Sequence, residues 1–227
     1  MVAWSKLFTQ VAAVLLSAHH AAAATHNINA QENLFNRVSW AGNSKMANGD
    51  IVNLASNSYS AGSIQSSDIT YLIAGLWGGI MCEVDDLSCI LDGGGTTRIL
   101  MASEITDGVL ELRGLVFKDG SADMGGGCQA KLGARVMLTM CLLQGCHATG
   151  TEGGGGLHVG ESGTTVTLYG VSFAGNTATH SGPDILLNDD GATLTINSEC
   201  AAGEAAGVQG TALVTGGVAG LLANKYS

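Results

Sequence analysis

Three carboxylates, Asp184, Asp189 and Asp190, fall in one turn-rich stretch, and side-chain oxygens gathered this way are what a hard cation such as calcium takes. They are weak metal candidates, because Asp189-Asp190-Gly191 is equally the composition of a solvent-facing turn. No cofactor is therefore expected, with calcium kept as the alternative.

Other chemistry-bearing residues are weaker still. His147 adjoins Cys146 and follows Cys141, but the spacing matches neither haem attachment nor a zinc site, so a disulfide beside a surface histidine is the favoured reading. The glycine runs 93–95 and 153–156 lack the Lys-Ser or Lys-Thr that phosphate cradles require. Arg113, Arg135 and Lys131 lie on successive strand-like runs and could line a groove for acidic sugars, although a solvated face is the simpler account. Thr164, Thr165 and Thr167, with Thr193 and Thr195, suggest threonine columns, but over two copies only, as ordinary strand propensity explains.

The elements that must position these residues are repeats. VMLTMCLLQGCHAT, residues 136–149, aligns without gaps on VTLYGVSFAGNTAT, residues 166–179, at an offset of 30. The template fits upstream at an offset of 26, placing Leu110, Leu112 and Phe117 on Val136, Leu138 and Leu143, and a shorter copy begins at Leu194 and Ile196. Alternation of period two within each run marks strands. Between the copies stand Gly125-Gly126-Gly127-Cys128, Gly154-Gly155-Gly156-Leu157 and Ser181-Gly182-Pro183-Asp184-Ile185, so each period reads as about two strands and two turns. Strands this short bury an apolar face only by stacking on the next copy, which predicts a solenoid. In that stack Gly120, Cys146 and Asn176 form a column at one bend, where glycine and asparagine suit a positive φ.

The ends read differently. Lys6 precedes an apolar run over 7–16, and small residues at 21–24 offer cleavage near Ala24, so residues 1–24 are expected to be a secretory signal rather than an anchor. Residues 25–48 read as a capping segment, with a short helix over 30–40 from the spacing of Leu34, Phe35 and Val38. The solenoid is expected over 49–200, entered through Asn48-Gly49-Asp50, and 201–227 as a cap or flexible tail. Secretion turns the six cysteines toward disulfides: Cys82 and Cys89 are the expected local pair, and pairing among Cys128, Cys141, Cys146 and Cys200 stays open. With 9 Lys and Arg against 19 Asp and Glu, the net charge of -10 excludes nucleic acid as an expected partner.

The GGG turn followed by a strand, with Phe173-Ala174-Gly175-Asn176, resembles the GGA-I and F-x-x-N repeats of polymorphic outer-membrane proteins and related pectate-lyase-like β-helices. Gly49-Asp50-Ile51-Val52-Asn53-Leu54 and Cys89-Ile90-Leu91-Asp92-Gly93-Gly94-Gly95 resemble the early coils of such proteins. The resemblance implies an all-β, right-handed parallel β-helix, secreted or at the cell surface. It also directs attention to the family's catalytic motifs, and the histidine of G-H-G and the basic pair of R-I-K are absent, His158 standing in Leu157-His158-Val159. No catalytic residue is assigned. The expected role is structural, adhesive or glycan-interacting, with polysaccharide or a cell-surface glycan as the partner class and no membrane span after signal cleavage. The alternative is a polysaccharide-active lyase, hydrolase or epimerase.

Overall fold

The computed structural model describes residues 23–29, 47–60, 69–189, 191–197 and 212–214. Residues 1–22 of the signal segment expected over 1–24, the helix expected over 30–40, Asp190 and Cys200 lie outside them. The described chain is an all-β parallel solenoid of about five coils. A first rung, β1 (Thr25–Ile28), precedes the coil β2 (Ile51–Leu54), β3 (Asn57–Ser60) and β4 (Ile69–Ala74). The next coil holds β5 (Gly78–Cys82), β6 (Cys89–Asp92) and β7 (Arg98–Ser103). Then come β8 (Leu110–Arg113), β9 (Leu115–Lys118), β10 (Ser121–Met124) and β11 (Cys128–Lys131). The fourth coil is β12 (Arg135–Thr139), β13 (Leu142–Gln144), β14 (His147–Gly153) and β15 (Leu157–Val159). The fifth is β16 (Thr165–Tyr169), β17 (Ser172–Ala174), β18 (Thr177–Ala178) and β19 (Ile185–Leu187), and β20 (Thr193–Ile196) and β21 (Ala212–Val214) close the stack.

Stacking places like on like. One sheet runs β1-β2-β5-β8-β12-β16-β20-β21, a second β3-β6-β9-β13-β17, a third β4-β7-β11-β15-β19, and a short one β10-β14-β18. The repeat alignment is the strand register itself: Leu110 pairs with Val136, Val136 with Val166 and Val166 with Leu194. Inward positions such as Leu110, Leu112, Leu138 and Leu168 are at most 1% exposed, each contributing roughly 2 kcal/mol of apolar burial.

Several details depart from the sequence reading. The later coils carry four short strands rather than two, since strands of two to seven residues between bends leave little periodicity to read. Thr25–Ile28, placed in the capping segment, already pairs with Ile51–Leu54, and Ala212–Val214 of the tail pairs with Leu194–Ile196. Gly120, Cys146 and Asn176 do stack at one bend, but the left-handed residue stands one position earlier, at Asp119 (φ 51°), Gly145 (φ 63°) and Gly175 (φ 62°). The triglycine turns are needed mainly for close approach: a Cβ on Gly126 would lie 2.4 Å from the His147 carbonyl oxygen, and one on Gly127 2.5 Å from that of Gly156.

Cys82 and Cys89 form a disulfide that pins the bend between β5 and β6. Cys128, Cys141 and Cys146, whose pairing the sequence leaves open, are free thiols. They occupy different corners of the coil, Cys128 opening β11 and Cys141 and Cys146 flanking β13, and each side chain is buried in the core. Burial pushes all three thiols up to about 12.

Candidate functional site

Along the third sheet, strand residues alternate between core and outer face. Leu100 and Ala102 of β7, Cys128 and Ala130 of β11, and Leu157 and Val159 of β15 fill the core. The residues between them form an outer column, Leu72, Met101, Gln129, His158 and Leu186, aligned by register. Gln129 and His158 are nevertheless 3% exposed, because the short sheet and the glycine turns at Gly125 and Gly154 fold over this face. Arg98 secures that cover: its Nε donates to the Met124 carbonyl at 3.0 Å and its Nη2 to the same oxygen at 2.6 Å.

Where the cover stops, a cleft of about 440 Å³ opens between β7 and β11 on one side and β10 on the other, with Thr149 of β14 at its edge. Arg98, Gln129 and Lys131 line one wall, Ser121 and Asp123 the other, and Met101 supplies an apolar patch. Among the described lining residues Asp123 is the one carboxylate, against the two cations. Beside the cleft, in the rung below Gln129, His158 has no hydrogen-bond partner for either ring nitrogen among the described residues. Its Nε2 is 3.4 Å from Glu152 Oε2 but poorly aligned, and Glu152 instead accepts from Asn188 Nδ2 at 2.9 Å. Burial lowers the His158 pKa, and Glu152 opposes that shift without cancelling it.

The residues singled out by sequence are distributed elsewhere. Asp184 is buried, and its Oδ1 accepts from Asn176 Nδ2 at 2.9 Å. Asp189 lies beyond β19 and accepts the Gly191 amide at 2.7 Å, as a turn carboxylate does. Strand β19 thus separates two of the calcium candidates, and Asp190 lies outside the described residues. No group of three or more His, Cys, Asp and Glu is gathered among the described residues. His147 hydrogen-bonds Thr177 on the outer sheet while the neighbouring Cys146 thiol is in the core, so the two do not converge. The threonines pair over two rungs, Thr165 with Thr193 and Thr167 with Thr195.

The three cations weighed as a groove against a solvated face are divided between sheets. Arg113 is held by Asp85, which its Nε reaches at 3.0 Å, and Arg135 opens β12 on the first sheet, whereas Lys131 belongs to the third. The cation that joins Lys131 is Arg98. Its signal in the sequence was faint: it precedes the apolar run Ile99-Leu100 without a repeat partner of its own type. No protein-family model, curated protein or solved structure matches the chain. Among the described residues no helix is long and apolar enough to cross a membrane.

Proposed function

We propose that this chain is an extracellular, non-catalytic β-solenoid that binds a glycan carrying acidic groups in the cleft between β7, β10 and β11. The observation that carries this reading is the wall formed by Arg98, Gln129 and Lys131, two cations and an amide on a chain whose net charge is -10. Guanidinium and ammonium groups on rigid strands favour a carboxylate or sulfate, the amide a sugar hydroxyl, and Met101 the apolar face of a ring. The Cys82–Cys89 disulfide fits an oxidising compartment, and so does the signal-like start of the sequence. The narrower kinship with pectate-lyase-like and polymorphic outer-membrane β-helices belongs to this reading, carried by the repeat motifs.

The test is calorimetric titration of the secreted protein with an oligogalacturonate and with a neutral cello-oligosaccharide at low salt. The acidic oligomer binds and the neutral one binds more weakly, and Lys131→Ala lowers the affinity by about tenfold, the loss of one charge-assisted hydrogen bond. Equal affinity for the two oligomers overturns the acidic preference. Release of unsaturated products or reducing ends, with or without calcium, overturns the non-catalytic reading in favour of a polysaccharide lyase or hydrolase.

A further inference from the structure

At its first rungs the solenoid departs from its own hydrocarbon pattern. One inward row of the main sheet carries Leu110, Val136, Val166 and Leu194, and the coil before them places Gly78 against Leu110. One rung earlier, the pairing of Ile51 with Gly79 puts Asp50 at the corresponding place. Its side chain is 6% exposed. A carboxylate at an apolar row position is costly unless donors and a cation meet it. Three donors do. Oδ1 accepts the Ala24 amide at 2.8 Å, and Oδ2 accepts the Ala47 amide at 2.9 Å and lies 2.9 Å from His26 Nε2.

Ala24 is also the residue at which a leader would end. The leader expected over 1–24 puts cleavage after Ala24, but the A-x-A pattern in the small residues at 21–24 fits cleavage after Ala23 equally well. The fold separates the two. The Ala24 carbonyl accepts the Ile51 amide at 2.9 Å, continuing the β1–β2 ladder, and its nitrogen is the group on Asp50. Cleavage after Ala24 removes both bonds; cleavage after Ala23 keeps both and turns the amide into an ammonium. Ala23 and Ala24 are exposed, so a new terminus there fits without rearrangement.

We propose that the mature chain begins at Ala24 and that Asp50 is the binding site for its α-ammonium group. Water hydrolyses the Ala23–Ala24 peptide bond; the Ala23 carboxylate leaves with the leader, and the Ala24 amine takes up a proton at neutral pH. The resulting ion pair supplies the cation that a carboxylate in this row requires, and it couples processing to closure of the first rung. This inference is independent of the glycan reading, since none of its residues lines the cleft.

Two measurements test it. Intact mass and N-terminal sequencing of the secreted protein give a chain starting at Ala24; a start at Thr25 or elsewhere overturns the proposal. Thermal unfolding is then compared for the chain starting at Ala24 with a free amine and for the same chain Nα-acetylated, which keeps an N–H but removes the charge. Acetylation lowers Tm by about 2–4 °C, as expected for loss of one such pair in a chain of this size, and this difference vanishes in Asp50→Asn. Equal Tm for the two forms, or an equal acetylation effect in Asp50→Asn, overturns the assignment, and the mass measurement stands if that variant does not fold.

Discussion

Asn176 is buried at the bend after β17, and its amide is used on both sides. Nδ2 donates to the Leu143 carbonyl and to Asp184, and Oδ1 accepts the Cys146 amide, all at 2.9 Å. Asn176→Ala leaves a buried amide, a carbonyl and a carboxylate each short of a partner, and chemical denaturation is expected to show a loss of about 3 kcal/mol. His158 presents the opposite case, with two buried ring nitrogens that gain no hydrogen bond. Its pKa is lowered by burial, so the unfolded chain takes up the proton first as pH falls below the ordinary value of 6.5. Stability is therefore lost on the acid side of that value and fully present above it. His158→Leu matches Leu186 in the next rung; it is expected to raise stability by about 1–2 kcal/mol at neutral pH and to flatten the acid-side loss, as read from Tm across pH 5–8.

At the scale of the element, the glycine turns and the core cysteines are set by the distance between rungs, about 4.8 Å in any sheet. Gly126 lies within that distance of the His147 and Gly120 carbonyls, 2.4 Å and 2.7 Å from where a Cβ would stand, and both contacts are backbone that cannot swing aside. Gly126→Ala is expected to separate the β10–β14 rungs, cost roughly 2–3 kcal/mol and distort the cleft proposed to bind glycan, because the same turn is held over the cleft by Arg98. Thiols at Cys128, Cys141 and Cys146 are buried and pushed up to about 12. Peptide mapping after iodoacetamide treatment is expected to find all three unmodified in the native protein and alkylated after denaturation without reductant, whereas Cys82 and Cys89 need reduction first.

Across the whole molecule, stability is a sum over neighbouring rungs, so damage at one coil is felt mainly by the coils above and below it. Among the described residues each end rung has one neighbouring rung, and a strand edge left uncovered invites pairing with another chain. The polar cluster of Asp50, Ala24 and His26 sits at one end, and β21 extends the main sheet at the other.

The sequence by itself determined the architecture. Apolar pairs recurring at offsets of 26 and 30 are the register of parallel stacking written along the chain, and the Cys82–Cys89 loop is short enough to be read locally. Short strands hid the true number of strands per coil, because two or three residues carry too little alternation to mark a boundary. Only the tertiary structure decided the chemistry. Joining Arg98 to Lys131, separating Asp184 from Asp189, burying His158, leaving three cysteines as thiols and bringing Ala24 to Asp50 all depend on contacts between coils or between sheets. Repetition specifies where a rung lies, but the side chains that depart from the repeat acquire a role only from what the neighbouring rung places against them.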